Sequence, residues 1–546
     1  MSGSGAQLLV DGLESAGVRV VFGLPGVHNL AAWKALAGSD IRLVGVRHEQ
    51  TCVYAADGYA RAGGAAGVAI TTTGPGAANT LGALGEAWAS GSPVVVIATD
   101  ISTKIRRPGV FRGALHEATD QEAMFRPVTK ATVRVTEPGM LGHHARAAIR
   151  LALEPPSRPV YLEVPTDLLS APASPTVASA SSGTELPHPT EDELDRAAEL
   201  LTAAARPLVW AGGGALRSGA QDAVGALAER LAAPVFTTYM ARGLLGMDHP
   251  CAIGLPPHLP AAGRLWDEAD AVLAIGSDLD GMMTQNWALP QPRHLVAINL
   301  DPTEAGKNYE PELVLVGDAA AVASALVERL PARGGVDELA LRLAHVRSAV
   351  RGELEREHPR EMEFLDRFAS AVPAEAVVVA DMCIPGYWLG ALHPVSAPRR
   401  LAYPMGWGTL GYGFPLSIGS ALAGTGPVVS VSGDGGFLYA CGELATVAQE
   451  RIPMTVLIVD DGGYGMLRFD QRHAGDPTFG VDLETPDFAA LARSFGIEAE
   501  TVEGLGDEFS RALARQVAAD SPSVLVAHAA LEPPPTTSPR WHRRDA

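Results

Sequence analysis

The sequence is poor in cysteine and in positive charge, and each shortage excludes a class of protein. Its four cysteines, at positions 52, 251, 383 and 441, lie far apart and form no C-x-x-C pair. Neither a disulfide framework nor a zinc site is therefore predicted. Lysine and arginine number 42 against 62 acidic residues, which gives a formal net charge of −20. Because a field of that sign repels phosphate backbones, we expect no nucleic-acid partner.

A long hydrophobic run is also missing. The longest apolar runs, such as residues 94–98 and 456–459, are far shorter than the roughly 20 residues that cross a bilayer. The N-terminal segment MSGSGAQLLVDGLESAG contains acidic side chains and no basic region followed by an apolar core. It does not read as a signal peptide. We therefore expect a soluble, cytoplasmic protein with no membrane partner.

The 546 residues, 47% hydrophobic and 19% charged, are sufficient for several buried cores. Short β-branched runs alternate with alanine-rich stretches, which is typical of parallel sheets with crossover helices. The predicted fold is α/β, with three doubly wound parallel-sheet domains of which the middle one is Rossmann-like. The predicted domains cover residues 1–170, 190–330 and 361–531, with linkers at 171–189 and 331–360 and a C-terminal tail at 532–546.

The stretch VVSVSGDGGFLYACGELATVAQERIPMTVLIVDDGG has the most specific pattern in the chain. It predicts a strand, a tight turn, a helix at 437–449 and a second strand at 454–459. Both acidic turns then fall at the carboxyl ends of parallel strands, where Asp434 and Asp461 can share one divalent cation. Three glycines would let a diphosphate approach the backbone: Gly433, Gly435 and Gly436. Each motif alone could be an ordinary turn, but the two together on one βαβ unit favour a metal–diphosphate site.

The first block contains a second group of candidates. Glu49 follows a predicted strand at 41–46 and opens a tightly packed helix. Burial there would raise its pKa and suit it to proton transfer; the alternative is a carboxylate that caps the helix. His28, in a Pro-Gly turn, is either an acid/base group or a hydrogen-bonded turn residue. The segment Gly74-Pro75-Gly76 offers a further helix N-terminus to a ligand.

These motifs together resemble those of a known family. G-D-G with a second acidic residue 27 positions later, R-H-E at 47–49 and G-P-G-x-x-N at 74–79 look like the thiamine-diphosphate-dependent enzymes. The similarity is greatest to the branch of acetolactate synthase, pyruvate oxidase and benzaldehyde lyase, and it covers essentially the whole chain. It implies a pyrimidine-binding, a central and a diphosphate-binding domain, in that order. It also implies thiamine diphosphate and Mg²⁺ as cofactors.

The resemblance further implies roles for individual residues. Asp434, Asp461 and the Gly463 carbonyl would bind Mg²⁺. Leu410 would hold the cofactor in its bent shape, and the Gly408 carbonyl would receive its 4′-amino group. The residues expected to contact the cofactor are Pro25, Gly74, Asn79, Gly408, Leu410, Gly433, Asp434, Gly435, Gly436, Asp461, Gly463, Tyr464 and Gly465.

Three residues are the catalytic candidates that the resemblance supports. Glu49 would protonate the pyrimidine ring of the cofactor. His28 lies in a G-V-H turn that resembles the G-A-H turn of benzaldehyde lyase, and His116 lies in a segment that lines the substrate approach in the family. Because Glu49 and the Asp434 site belong to different subunits in this family, we expect a homodimer or homotetramer with active sites between subunits.

The chain also departs from the family pattern. Asp460-Asp461 stands where Asn-Asn or Asp-Asn is usual, and Cys383-Ile384-Pro385 replaces a Gln-His pair. Asp470 occupies the position of the acetolactate synthase tryptophan that selects the acceptor, and Asp100 that of a glutamine near the thiazolium. These departures favour a relative of acetolactate synthase with an acceptor of its own.

The predicted function is a carboligase or decarboxylase that acts on a 2-oxo acid, with a carbonyl compound as acceptor. The alternatives are a C–C lyase or ligase like benzaldehyde lyase, and a catalytically silent paralogue that binds the cofactor. In the central block, AGGGALRSG only partly matches G-x-G-x-x-G, because Arg217 takes the place of the third glycine. FAD is possible there, but an empty or vestigial site is favoured.

Overall fold

The computed structural model describes residues 3–176 and 186–537. Three large sheets of parallel strands, alternating along the chain with helices, confirm the predicted α/β class with three parallel-sheet domains. Residues 177–185 of the predicted linker 171–189, and residues 538–546 of the predicted tail 532–546, lie outside the described residues. Among the described helices, none combines the length and the apolar content that crossing a bilayer requires.

The first domain contains a six-stranded sheet built from apolar runs, as expected for strands covered on both faces. The strands of this sheet are β2 (Val20–Gly23), β3 (Arg42–Gly45), β4 (Gly67–Thr71), β5 (Val94–Asp100), β6 (Ala131–Arg134) and β7 (Val160–Pro165). Two further short strands, β1 (Gly3–Ser4) and β8 (Pro172–Ala173), form a separate antiparallel pair. Its helices are α1 (Gly5–Ser15), α2 (Leu30–Leu36), α3 (Glu49–Gly63), α4 (Pro75–Ala78), α5 (Leu81–Ala89), α6 (Gln121–Phe125), α7 (Leu141–Leu153) and α8 (Thr166–Ser170). The sheet order is β3-β2-β4-β5-β7-β6.

The central domain contains a five-stranded parallel sheet. Its strands are β9 (Pro207–Ala211), β10 (Val235–Thr237), β11 (Ala271–Ile275), β12 (His294–Asn299) and β13 (Leu313–Val316), in the order β10-β9-β11-β12-β13. Its helices are α9 (Glu191–Ala203), α10 (Gly213–Arg217), α11 (Gln221–Leu231), α12 (Pro260–Glu268), α13 (Pro302–Gly306) and α14 (Ala319–Arg329). Most of the predicted linker 331–360 is a single long helix, α15 (Val336–Glu357), followed by α16 (Pro359–Ala371).

The third domain contains the second six-stranded parallel sheet. Its strands are β14 (Val377–Ala380), β15 (Leu401–Ala402), β16 (Val428–Gly433), β17 (Thr455–Asp460), β18 (Glu498–Glu503) and β19 (Ser523–His528), in the order β15-β14-β16-β17-β19-β18. Its helices are α17 (Ile384–Leu392), α18 (Gly413–Leu422), α19 (Asp434–Phe437), α20 (Leu444–Glu450), α21 (Gly465–Ala474), α22 (Phe488–Ser494) and α23 (Asp507–Val517).

The helix predicted at 437–449 is wrong in its bounds. Helix α19 already begins at Asp434, directly after β16, and ends at Phe437. The chain leaves the helical path at Ala440, passes through a 3-10 turn at Cys441–Glu443 and re-enters a helix as α20. The interruption directs the Glu443 carboxylate to the first domain, where backbone N–H groups bind it.

The first and third domains share one hydrophobic core within the chain. Helices α3 and α18 pack so closely that a Cβ atom at Gly58 would overlap the Leu416 carbonyl, and one at Gly419 would overlap the Ala55 carbonyl. Glycine is required at both contacts because any side chain would push the helices apart. The packing fixes how the helix that begins at Glu49 is placed against the third domain.

Candidate active site

Two acidic turns lie next to each other at the carboxyl edge of the third sheet. Asp434 follows β16 and Asp461 follows the neighbouring strand β17. Asp434 Oδ2 and Asp461 Oδ1 are buried and accept no hydrogen bond. Burial and the negative charge of Asp461 raise the pKa of Asp434 to about 7, and burial raises the pKa of Asp461. A divalent cation between the two carboxylates would relieve both the burial and the repulsion.

A cavity of about 220 Å³ opens beside these carboxylates. All the candidates that the sequence placed in the third domain line it: Gly408, Leu410, Gly433, Asp434, Gly435, Gly436, Asp461, Gly463, Tyr464 and Gly465. A Cβ atom at Gly435 would lie 2.7 Å from the Tyr464 ring, and one at Gly436 would lie 3.0 Å from Asp381 Oδ2. The turn therefore tolerates only glycine, which leaves its backbone open to a ligand.

The donor set fits a cation that is shared with a bound anion. Within residues 3–176 and 186–537, no group of three or more His, Cys, Asp or Glu side chains could hold a metal ion. Two carboxylates alone leave most of the six coordination positions of an octahedral magnesium ion without a ligand. Carbonyl and diphosphate oxygens are the ligands that would complete it, and the adjoining glycine turn has room for them.

Asp381 is a site residue that sequence reasoning missed. It is fully buried at the end of β14, and its Oδ1 accepts hydrogen bonds from the backbone N–H groups of Gly411 (3.1 Å) and Tyr412 (3.3 Å). Asp381 therefore fixes the loop that contains Gly408 and Leu410, both of which line the cavity. An acidic residue directly after the run AVVVA was the available signal, since carboxyl ends of parallel strands bind ligands.

In the first domain, Glu49 lies at the start of α3 and is half-buried. Its Oε2 accepts a hydrogen bond of 3.0 Å from Asn79 Nδ2, and its Oε1 lies 3.3 Å from the position of a Cβ atom on Gly76. The G-P-G-x-x-N segment therefore packs directly against the glutamate.

His28 and His116 are brought together although 88 residues separate them. Their Nδ1 atoms lie 3.4 Å apart. Burial and the neighbouring His116 lower the pKa of His28. Gly74 lies against the backbone of His116, where any Cβ atom would collide with the His116 carbonyl. His28, His116 and Gly74 thus lie together, and Gly76 and Asn79 of the same glycine-rich segment lie against Glu49.

Asp100 does not project freely towards this cluster. Its carboxylate is fully buried and forms ion pairs with Arg106 (2.5 Å) and Arg134 (2.7 Å). Two arginines of the first domain therefore hold the Asp100 carboxylate in place.

The central-domain glycines have a packing role. Cβ atoms at Gly212 and Gly214 would overlap the backbone around Gly276 and Ser277, so these glycines let the turn after β9 approach the end of β11. The preference for a central domain without FAD stays a prediction.

The described residues that line the cavity run from Met382 to Leu531. No described residue of the first domain lines this cavity, so we call the cluster around Glu49 and the cavity around Asp434 the two half-sites of the chain. A glycine turn beside two neighbouring buried carboxylates, at the edge of a parallel sheet, is an arrangement that would suit a diphosphate bound through a divalent cation.

Comparison with known proteins identifies the family. Three family domains match the chain: the N-terminal TPP binding domain of thiamine pyrophosphate enzymes at residues 3–124, the central domain at 194–326 and the C-terminal TPP binding domain at 383–527. The chain belongs to the thiamine pyrophosphate (thiamine diphosphate) enzymes, and the resemblance seen in the sequence is confirmed.

The relatives of the chain include one named as a decarboxylase and several named as acetolactate synthases. A protein of Pseudomonas aeruginosa named "probable 2-ketoarginine decarboxylase" is 38% identical over 513 residues, which cover 93% of this chain and 90% of the relative. A "probable acetolactate synthase large subunit" of Methanocaldococcus jannaschii is 31% identical, covering 95% and 91%. Acetolactate synthase isozyme 2 of Escherichia coli is 30% identical, covering 96% and 95%. The chain is thus an enzyme of the acetolactate synthase-like family.

Proposed function

We propose that this protein is a Mg²⁺- and thiamine-diphosphate-dependent decarboxylase of 2-oxo acids, able to transfer the product to a carbonyl acceptor. The observation that carries the proposal is the pair of buried, unpartnered carboxylate oxygens on Asp434 and Asp461 beside a turn where only glycine fits. Arg468 lies 3.9 Å from Asp461 Oδ1, so one arginine faces two neighbouring buried carboxylates, and a bound cation would balance the remaining negative charge.

The residues divide the work between binding and proton transfer. Asp434, Asp461 and the Gly463 carbonyl would hold Mg²⁺, and the glycine turn would hold the diphosphate. When bound, thiamine diphosphate supplies the carbon nucleophile and the electron sink that loss of CO₂ requires. Leu410 fills the apolar side of the cavity. Glu49, oriented by Asn79, would hold a proton for the pyrimidine ring, and His28 would exchange a proton with the substrate.

We place the complete active site between two copies of the chain. Exposed apolar side chains surround both half-sites. Beside His28 and His116 they are Val27, Leu30, Phe111 and Leu115, and beside the cavity they are Trp407, Tyr439 and Leu467. A two-fold dimer would cover both patches at once and place Glu49 of one copy over the cavity of the other.

Complementation between inactive variants tests this arrangement. Glu49→Gln and Asp434→Asn should each abolish CO₂ release. A refolded equal mixture should regain about a quarter of the wild-type activity, because half of the dimers then hold one intact site. No recovery in a mixture shown to form mixed dimers would place each site within a single chain.

A panel of 2-oxo acids, with and without aldehyde acceptors, tests the reaction. We expect CO₂ release that depends on Mg²⁺ and thiamine diphosphate, and unchanged turnover in Glu49→Gln would refute the assignment of Glu49. Cofactor binding without CO₂ release from any acid would favour a silent paralogue. Cleavage of 2-hydroxy ketones in place of decarboxylation would favour a benzaldehyde-lyase-like enzyme.

Within the 2-oxo acids, we propose a substrate with a cationic side chain, in line with the name of the Pseudomonas aeruginosa relative. Met466 and Leu467 on α21 line the cavity, and Asp470 follows one helical turn later on the same face. Burial raises the pKa of the Tyr387 phenol in the cavity wall, Cys383 and Asp381 raise it further, and Asp470 makes a smaller contribution in the same direction. Asp470 is therefore placed to receive a guanidinium group.

Substitution of Asp470 tests this substrate class. Asp470→Asn should lower kcat/KM roughly tenfold for a guanidino-2-oxo acid, because a hydrogen bond to a charged group is lost, and leave kcat/KM for a neutral 2-oxo acid of equal length unchanged. Asp476→Asn, which alters an exposed carboxylate just after the same helix, is the matched control. Equal losses for both substrates would remove Asp470 from substrate recognition.

A further inference from the structure

Two buried carboxylates, one in the first domain and one in the third, each bind backbone N–H groups of the other domain. Glu443 of the third domain is 1% exposed, and Glu86 of the first domain is fully buried. Each accepts backbone N–H groups from the other domain of the same chain. The segments that they hold are the ones that carry candidate active-site residues.

Glu443 holds the start of the helix that presents Glu49. Its Oε1 accepts hydrogen bonds from the backbone N–H groups of Arg47 and His48, each at 3.0 Å, and its Oε2 accepts from Arg47 at 3.1 Å. The hydroxyl of Thr446 donates to the same carboxylate at 2.6 Å. Every lone-pair direction that the carboxylate offers is therefore used, which locks the two residues that precede Glu49.

Glu86 holds the loop that presents Gly408 and Leu410. Its Oε2 accepts from the Trp407 backbone N–H at 2.9 Å, and its Oε1 accepts from the Gly406 N–H at 3.3 Å. The indole of Trp407 packs directly onto Gly85, where even a Cβ atom would overlap it. Arg61, which pairs with the buried Asp57 at 2.9 Å, also lies 3.5 Å from Glu86 and so offsets part of the buried charge. Backbone, ring and charge thus fix this loop against helix α5.

We propose that Glu86 and Glu443 are a reciprocal pair of positioning residues that set the two half-sites of one chain relative to each other. Glu443 fixes Glu49, and Glu86 fixes the loop with Gly408 and Leu410. The inference rests on the proposed function, because the segments matter for catalysis only if they bind the cofactor. Neither residue lines the cavity, so both act through the backbone that they hold.

The arrangement has a consequence for the assembled enzyme. If Glu49 serves the cavity of a second copy, each chain contributes its two half-sites to two different active sites. The two carboxylates then determine the spacing of these half-sites, since they lie at the junction between the domains. A displacement of about 1 Å between reacting groups can reduce a rate by roughly a hundredfold. Loss of either carboxylate is therefore expected to lower the reaction rate.

Hydrogen exchange measured by mass spectrometry on the full chain tests the positioning roles of Glu86 and Glu443, which together we call the brace, without any assumption about activity. In Glu443→Ala, the amides of Arg47 and His48 should exchange at least about tenfold faster, because a hydrogen bond to a buried charge is lost. The amides of Gly406 and Trp407 should be unaffected. Glu86→Ala should give the reverse pattern.

Conservative and control variants make the result specific. Glu443→Gln keeps one oxygen that can accept both N–H groups, so it should restore most of the protection that Glu443→Ala loses. Glu450→Gln removes an ion pair with Arg42 (3.2 Å) across the same domain contact, but it touches neither segment. It should leave both segments and the activity unchanged.

Kinetics supply the second readout. Glu443→Ala should lower kcat about tenfold or more with little change in the affinity for thiamine diphosphate, whereas Glu86→Ala should weaken cofactor binding. Unchanged exchange at all four amides, or the same change in Glu450→Gln, would overturn the brace and leave the proposed function intact. Faster exchange in a protein that releases CO₂ from no 2-oxo acid would confirm the brace and refute the proposed function.

Discussion

Replacing Asp434 by asparagine should stabilise the metal-free protein while it abolishes stabilisation by Mg²⁺ with thiamine diphosphate. Burial and the charge of Asp461 raise the pKa of Asp434 from 3.8 to about 7. At about 1.4 kcal/mol per pH unit, ionised Asp434 costs the folded metal-free protein about 4 kcal/mol. Asparagine has the same shape and no charge, so the variant escapes this cost.

The sign of the effect changes with pH in a defined way. A carboxyl group with a raised pKa in the folded state binds its proton more tightly there than in the unfolded chain. Its cost to stability is therefore absent below about pH 4 and complete above about pH 7. The metal-free Asp434→Asn variant should unfold several degrees above the wild type at pH 8, and the difference should disappear towards pH 4.

Thermal unfolding followed by fluorescence in the presence of a chelator measures the metal-free proteins. Addition of Mg²⁺ and thiamine diphosphate should raise the midpoint of the wild type, because a ligand that binds the folded state stabilises it, and leave that of Asp434→Asn unchanged. Asp476→Asn is the control, since this carboxylate is exposed. A metal-free variant that is no more stable than the wild type at pH 8 would refute the reasoning about the two carboxylates.

Three further predictions follow from the same geometry. His28→Ala should lower product formation more than cofactor affinity, and an equal loss in both would mean that the contact with His116 (3.4 Å) is structural. Asp381→Ala should weaken thiamine diphosphate binding roughly tenfold in calorimetry, because its charged hydrogen bonds to the loop are lost, and unchanged binding would contradict its role. Burial and the charge of Asp100 raise the pKa of Glu163 from 4.5 to about 7. The folded state therefore holds this proton more tightly than the unfolded chain does, and the free energy of unfolding falls by about 3 kcal/mol as the pH rises from 4.5 to about 7. Glu163→Gln should flatten the fall of the unfolding midpoint over that interval, and an unaltered pH profile would show that Glu163 ionises normally.

The local parts of the site could be predicted from sequence. Gly433 to Gly436 and Asp461 follow apolar runs that can only be strands, and turns after parallel strands meet at one edge of a sheet. The structure places both carboxylates on one cavity for that reason. His28 was a candidate from its Pro-Gly turn and His116 from the resemblance alone, and the contact between their rings is long-range.

Other parts depend on residues that look ordinary in sequence. Glu86 and Glu443 lie in helical stretches where acidic residues are common, and nothing in their neighbourhood indicates which N–H groups they bind. Asp100 matched a position near the cofactor, yet its two arginine partners were not predictable because Arg134 lies on another strand. The helix expected at 437–449 is interrupted at Cys441–Glu443, where Gly442 weakens the helix and Glu443 binds backbone N–H groups of the first domain.

The sequence by itself therefore determined the α/β class, the family and the position of the two acidic turns, since these depend on short-range periodicity and turn chemistry. Tertiary structure alone decided which buried carboxylates hold backbone N–H groups, and that Glu49 does not line the Asp434 cavity of its own chain. Such pairings join residues hundreds of positions apart. These pairings depend on how helices α3 and α18 pack against each other, and no local sequence pattern indicates which residues that packing brings together.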